Sequence, residues 1–194
     1  MKVAVGGFAS NVETRESLPP LVSKLLDEYP ALVTLGVQWG DQDVHHNINN
    51  VAYARYFESA RIRMFDAIRE VGAGGAGFAQ FVSSESEQTM IGETTRNIAI
   101  RYKARLFYPD TVTAGCRVVD VDDFSVYLEL RLISHKSNKV VAEGTATNTN
   151  IDFAKSRKVP YNVNVANAYR ELIGWSATAP GNDSKQSSIN KSNL

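Results

Sequence analysis

Hydrophobic residues between positions 50 and 71 recur at intervals of three and four, which is the spacing of one face of an α-helix. The repeat continues for about five turns. A run of glycines at 72–77 predicts the end of the helix, because glycine tolerates a left-handed exit. A helix with one broad apolar face has to be covered by a second layer of structure. The residues of this face are Tyr53, Tyr56, Phe57, Ala60, Met64, Ala67, Ile68 and Val71.

The segments before and after this helix alternate with a period of two, which predicts strands. In "VTLGVQW" (33–39), the apolar residues Val33, Leu35, Val37 and Trp39 share one face. Downstream, strand-like runs cover 97–107, 111–121, 124–134 and 139–151. Short polar turns at 122–123 and 136–138 join them, as is typical of antiparallel hairpins.

Shorter features complete the pattern. Helical spacing within 17–30 and 164–173 predicts two short helices, and the polar segment 83–88 is interpreted as a connection. Gly144 interrupts a strand pattern and predicts a bulge or a close backbone approach. The order of strand, long helix and antiparallel strands indicates an α+β fold in which a curved sheet wraps around the helix.

Length and composition favour one domain with a sizeable core, since the chain has 194 residues of which 43% are hydrophobic. We expect an N-terminal arm and short helix at 1–30 and the main domain at 31–175. The remainder, 176–194, is rich in Ser and Asn and is expected to be a disordered tail. The outer face of such a sheet often needs a partner, so we expect a homodimer or homotetramer.

Charge and cysteine content limit the binding partners and the cellular compartment that we expect. Lys+Arg and Asp+Glu both number 21, which argues against binding to nucleic acid or to an anionic membrane. No apolar run approaches the length of a membrane span. The only cysteine, Cys116, cannot form an intrachain disulfide, and the N-terminus makes a poor signal peptide. A cytoplasmic protein is therefore expected.

A crowded polar segment, "DQDVHHNINN" (41–50), directly precedes the long helix. A metal site is disfavoured, because the adjacent His45 and His46 point to opposite sides of an extended chain. A helix cap explains one of its asparagines but not its aspartates and histidines. The third interpretation is acyl transfer: free N–H groups at the helix start polarise a carbonyl, and a nearby carboxylate attacks it or activates water.

The string "VQWGDQDVHHNINNVAYARYFESARI" resembles the signature of hotdog-fold thioesterases of the 4-hydroxybenzoyl-CoA thioesterase type, roughly W-x-D-x-D-x-x-G-H-V-N-N-x-x-Y and then F-E-x-x-R. The resemblance covers about 33–159. It implies a hotdog fold, dimers with two active sites at their interface, and Asp43 as the catalytic carboxylate. The residues in register are Trp39, Asp41, Asp43, Ile48, Asn49, Asn50, Tyr53, Phe57, Glu58 and Arg61.

One position departs from that signature. The family's G-H pair falls on His46 and Asn47, so an asparagine stands where a histidine is usual. Asparagine can donate a hydrogen bond but does not titrate near neutral pH.

We therefore expect an acyl-thioester hydrolase that acts on acyl-CoA or on an acyl-carrier-protein thioester. Asp43 is the predicted base or nucleophile. Coenzyme A enters only as part of the substrate, and neither a cofactor nor a metal is expected. The predicted substrate-binding residues are His46, Asn47, Asn50, Val51 and Tyr53, and Arg101, Lys103 and Arg105 for the coenzyme A phosphates.

Three alternatives stay open. The chain could bind an acyl thioester without hydrolysing it, or it could be a hotdog lyase or isomerase acting on a polyketide-like substrate. The row of Arg101, Lys103 and Arg105, which the alternation puts on one strand face, could also be a solvated surface.

Glu58 and Arg61, three residues apart on the helix, are predicted to form an ion pair.

Overall fold

Seven antiparallel strands form one curved sheet in the computed structural model, which describes residues 2–3, 13–14, 18–68, 80–84 and 87–176. The strand order is β3-β6-β7-β8-β5-β4, and β9 pairs with β8 beside this path. Two further strands, β1 and β2, form a separate two-stranded sheet within the described part of the chain. The strands are β1 (Lys2–Val3), β2 (Glu13–Thr14), β3 (Ala31–Gly36), β4 (Gln80–Ser84), β5 (Glu87–Tyr102), β6 (Thr111–Val121), β7 (Ser125–Ser134), β8 (Lys139–Asp152) and β9 (Arg157–Lys158).

The long helix α2 (Asn50–Ile68) lies on the inner face of this sheet. The periodicity predicted its buried face correctly, because every predicted member within the described residues is buried. The helix lies mainly over β6 and β3, with a smaller contact to β7. This arrangement confirms the predicted α+β hotdog fold, in which a curved antiparallel sheet wraps a central helix.

Two shorter helices occupy opposite faces. α3 (Val163–Leu172) adds Ala168, Tyr169 and Leu172 to the same core as α2. α1 (Pro20–Glu28) instead builds a separate apolar cluster with Leu32, Ile133 and Val140 on the outer face. Part of the outer face, which was expected to need a partner subunit, is thus covered by the chain itself.

Tyr29, which directly follows α1, joins that helix to the outer face. Its ring is fully buried, with the guanidinium carbons of Arg117 and Arg131 at 5.1 and 5.5 Å from its centroid. Its hydroxyl donates to Glu129. Burial and this carboxylate raise the pKa of Tyr29. Gly115 makes room for the ring, since a Cβ at that position would lie 3.0 Å from it.

Some predicted boundaries were wrong. β3 ends at Gly36, and Trp39 starts a 3₁₀ turn (Trp39–Asp41) with 73% of its surface exposed instead of facing the core. The segment predicted as a polar connection, 83–88, contains the end of β4 and the start of β5. β5 ends at Tyr102, so Lys103 and Arg105 are not on a strand.

Other predictions lie outside the described residues. These are the glycine-rich helix end and, except for Ser176, the tail predicted at 176–194. The short pairing of β1 with β2 falls within the N-terminal arm and short helix predicted at 1–30. No described helix is long and apolar enough to cross a membrane.

Gly144 confirms the predicted close approach. A Cβ added there would lie 2.9 Å from the carbonyl oxygen of Ala99 on the neighbouring strand and 3.3 Å from the ring of Phe57. The strand partner is backbone and the ring is fully buried, so neither can easily move aside.

We predict that Gly144→Ala lowers the free energy of unfolding by about 1–3 kcal/mol, because overpacking shifts backbone and core together. The matched control is Gly40→Ala, where an added Cβ meets no atom within 4 Å; we expect a change below about 0.5 kcal/mol. Urea denaturation at neutral pH measures both variants. Equal losses at the two positions would contradict the packing explanation.

Candidate active site

Asp43 closes the polar turn in front of α2. Its Oδ1 accepts hydrogen bonds from the backbone N–H groups of His45 (2.8 Å) and Asn47 (3.1 Å). Its own N–H donates to the Asn47 carbonyl oxygen at 2.8 Å. Within the part of the chain that the structure describes, Oδ2 makes no hydrogen bond. One carboxylate oxygen therefore shapes the turn, and the other keeps its capacity to accept a hydrogen bond.

Asp41, two residues earlier, is an anchor and not a free carboxylate. It is buried, and its Oδ2 accepts from the Tyr56 hydroxyl (2.8 Å) and from the Gln38 N–H (3.2 Å). Arg55 donates to Oδ1. The Asp41 carbonyl oxygen also accepts from the Asn49 N–H at 2.8 Å. Asp41 thus ties the 3₁₀ turn to the first turns of α2, a role that the sequence pattern did not separate from that of Asp43.

The helix start leaves the backbone N–H of Asn50 without a hydrogen-bond partner among the described residues. Asn49 is the cap, as the asparagine-rich segment predicted, and its Oδ1 accepts from the Val51 N–H at 3.0 Å. The Ala52 N–H donates to the Asn49 carbonyl oxygen at 2.9 Å. As the first residue of the helix, Asn50 has no intrahelical acceptor for its N–H, and this N–H bonds to no other described residue, so it can meet a ligand at the positive end of the helix.

Tyr102 covers this end of the helix, although nothing in the sequence pattern marked it as a site residue. Its ring meets Tyr53 edge to face with centroids 5.0 Å apart, and its hydroxyl donates to the Asn50 carbonyl oxygen at 3.4 Å. Burial raises the pKa of Tyr53. The two rings give the site an apolar wall beside the Asn50 amide.

His46 and Asn47 occupy the positions of the expected G-H pair. His46 is exposed and has φ 57°, a left-handed conformation that explains why glycine suits this position. Asn47 is half-buried, and its Nδ2 donates to the His45 carbonyl oxygen at 3.4 Å. Its Oδ1 is buried without a hydrogen-bond partner. Of the two, only Asn47 turns its side chain into the turn that holds Asp43.

The remaining predicted substrate residues lie on the surface. Val51 is 66% exposed, and the cap already uses its N–H. Arg101, Lys103 and Arg105 are all exposed. Lys103 Nζ lies 3.4 Å from Glu143, whereas Arg101 and Arg105 form no ion pair with a described residue. Two of the three cations are therefore free to bind an anion.

The described residues contain no evident set of metal-binding side chains. No three His, Cys, Asp or Glu side chains come together among the described residues. Cys116 is fully buried in the core, and burial raises the pKa of its thiol. The turn and the helix start together offer a carboxylate oxygen on Asp43, an unbonded amide on Asn50 and the paired rings of Tyr53 and Tyr102.

We predict that Tyr56→Phe lowers the free energy of unfolding at neutral pH by about 1.5–3 kcal/mol, because Asp41 loses a donor. Burial and the Asp41 bond raise the pKa of Tyr56 above its unfolded value of about 10. The stabilisation is therefore complete below about pH 10 and lost as pH rises above it. Urea denaturation between neutral and strongly alkaline pH should show wild type and variant converging; a constant difference would contradict this.

A family model described as "Thioesterase-like superfamily" matches residues 37–168. Comparison with curated protein sequences gives no match. Solved structures of similar fold include a thioesterase complexed with coenzyme A and Zn from Thermus thermophilus. Its sequence is 21% identical to this one, the match covers 76% of this chain and 96% of the thioesterase chain, and the TM-score is 0.58.

Two further structures agree on the fold. A DHNA-CoA thioesterase from Staphylococcus aureus is 17% identical, with coverage of 84% and 95% and a TM-score of 0.58. A thioesterase-superfamily protein from Jannaschia sp. CCS1 is 17% identical, with coverage of 81% and 90% and a TM-score of 0.59.

Proposed function

Because the chain belongs to the thioesterase-like superfamily, we propose that it hydrolyses an acyl thioester, with Asp43 as general base or nucleophile. The observation that carries the proposal is that the two oxygens of the Asp43 carboxylate are bonded differently. Oδ1 is held by two backbone amides, which leaves Oδ2 oriented and unbonded. A positioned carboxylate of this kind can activate water or attack a carbonyl carbon.

The unbonded Asn50 N–H supplies the second requirement. A thioester carbonyl oxygen placed there meets a backbone donor at the positive end of a helix, and the negative charge that develops on attack is stabilised. Tyr53 and Tyr102 would exclude water from one side of the reacting carbonyl. In this proposal the carbonyl is held at Asn50 and attacked by Asp43, or by a water that Asp43 activates, from the turn that precedes the helix.

We propose coenzyme A or the phosphopantetheine of a carrier protein as the thiol part, within the 4-hydroxybenzoyl-CoA thioesterase type that the motif resembles. Arg101 and Arg105 are exposed and unpaired among the described residues, so either could hold phosphate. No other cofactor is required, and we place the reaction in the cytoplasm.

A homodimer or homotetramer fits the surface around the site. β4 pairs with β5 only as far as Ile91, so the strand beyond it has a single described neighbour, β8. Such an edge can pair with a second copy. Exposed apolar side chains, among them Trp39, Val44 and Phe107, also belong to the loops on either side of the site.

Binding without hydrolysis is the second candidate, and Asn47 favours it. An asparagine there cannot exchange protons with the leaving thiol, as a histidine could. The two candidates make the same prediction for binding and opposite predictions for thiol release.

We predict that Asp43→Asn lowers kcat for acyl-CoA hydrolysis by about 10²–10⁴-fold while the thermal midpoint stays close to that of wild type. Asparagine keeps an Oδ1 that can accept from His45 and Asn47, so the turn survives the change. Free thiol release from a panel of acyl-CoAs measures the rate.

The matched control for that experiment is Asp41→Asn, which alters the structural carboxylate. This variant should lower the free energy of unfolding, and any loss of activity should follow from that loss of stability. Equal thiol release by wild type and Asp43→Asn would remove Asp43 from the mechanism. Acyl-CoA stabilisation of the wild type without any thiol release would favour the binding candidate.

Replacing Arg101 and Arg105 together by glutamine should raise KM for an acyl-CoA, because the phosphate contacts are lost, by about tenfold. KM for the same acyl group on pantetheine, which lacks the nucleotide phosphates, should not change. Steady-state kinetics with the two thioesters provide the comparison. A parallel rise for both substrates would show that these arginines do not bind phosphate.

A further inference from the structure

The outer face of the sheet carries an apolar area that α1 covers. Leu32 on β3, Ile133 on β7 and Val140 on β8 pack in one cluster with the buried side of this helix. An apolar area on a sheet has to be covered by a second layer of structure. Here that layer is a segment of the same chain. The buried residues of the helix are Val22, Leu25 and Leu26.

Polar contacts hold both ends of α1 on the strands beneath it. In the first turn, the Leu21 N–H, which has no acceptor within the helix, donates to Asn138 Oδ1 in the β7–β8 turn at 3.1 Å. In the last turn, Glu28 Oε2 lies 3.4 Å from Arg131 Nη1 on β7. The helix is therefore fixed in position as well as buried.

The sheet has a recess into which the end of α1 fits. A Cβ added at Gly115 on β6 would lie 3.0 Å from the Tyr29 ring and 3.2 Å from Leu25. The absence of a side chain at Gly115 thus makes room for both residues. The Tyr29 hydroxyl also donates to Glu129 on β7. A second copy of the chain can reach this area only after α1 has left it.

The rest of the outer face is mostly polar along β7 and β8. Glu129 pairs with Arg117 at 2.9 Å, and Glu143 pairs with Lys103 at 3.4 Å. Tyr127 is exposed, and its hydroxyl donates to Asp122 at 2.9 Å. This part of the described face lacks the apolar centre that is typical of a permanent interface. The outward residues, which alternate with core residues along these strands, are Tyr127, Glu129, Arg131, Glu143, Thr145 and Thr147.

We propose that α1 closes the outer face to a second copy of this chain. Stacked sheets bury apolar side chains from both facing surfaces, and α1 already buries those of this face. Without α1, the patch of Leu32, Ile133 and Val140 is bare, and two identical patches associate. The assembly proposed above is then a homodimer through the β5 edge and not a homotetramer of stacked sheets. This inference rests on the proposed edge pairing for the number of chains, but not on thioester hydrolysis.

The test measures molar mass by size-exclusion chromatography with light scattering. Leu25→Asp places a charge in the buried cluster and should release α1, so that the mass doubles relative to wild type. Leu25→Asp combined with Leu32→Glu should return the mass to the wild-type value, because the bared patch is then charged. Hydrogen exchange of the amides of α1 (Pro20–Glu28) checks that the helix has left the sheet.

The matched control is Lys24→Asp, which introduces the same side chain one position earlier. The Lys24 side chain is 68% exposed, so this variant should change neither the mass nor the exchange of α1. If Leu25→Asp is insoluble, Gly115→Val decides by the same criterion. Its side chain enters the space of the Tyr29 ring and of Leu25 without adding a charge.

Two results would overturn the proposal. Fast exchange of the α1 amides at an unchanged mass would show that the bared face does not bind a second copy. Thr145→Arg, on the exposed part of the outer face, should leave the mass unchanged. A lower mass for this variant would show that wild type already associates through that face. None of these readouts uses thiol release, so a failure of the proposed hydrolysis is seen separately.

Discussion

The buried carboxylate of Asp41 fixes the geometry on which the candidate site depends. A buried carboxylate without partners costs several kcal/mol, so its bonds to Tyr56 and Gln38 hold the 3₁₀ turn against α2. Arg55 is largely exposed, so its ion pair adds little beyond that. Asp43 follows two residues later, and its position relative to the helix start is therefore set by hydrogen bonds that take no part in the chemistry.

The central helix carries polar groups with three different roles at three positions along its axis. The Asn50 amide in the first turn is unbonded among the described residues. Tyr56 in the second turn donates to Asp41, and Arg61 in the fourth turn donates to Thr95 on the sheet. Between these places the buried face of the helix is apolar and packs on β3, β6 and β7. The same packing that stabilises the fold thus sets where these polar groups lie along the helix.

Periodicity predicted the elements well and their ends poorly. The alternation that indicated a strand continued through Trp39 and through Lys103, although the strands had already ended, because an irregular segment can alternate by chance. Local spacing also paired Glu58 with Arg61, whereas the partners of Arg61 are Thr95 on β5 and Asn148 on β8, far away in sequence. The resemblance predicted Asp43 as the catalytic carboxylate, and only the tertiary contacts showed that both oxygens of Asp41 are bonded whereas Asp43 keeps one unbonded oxygen among the described residues.

A crystal structure with an acyl-CoA analogue in which a methylene replaces the thioester sulfur tests the central claim most directly. The account predicts the ketone oxygen at hydrogen-bond distance, about 2.7–3.2 Å, from the Asn50 amide, with Asp43 Oδ2 facing the carbonyl carbon. A ketone bound away from Asn50, or an Asp43 Oδ2 bonded within its own turn, would contradict the account.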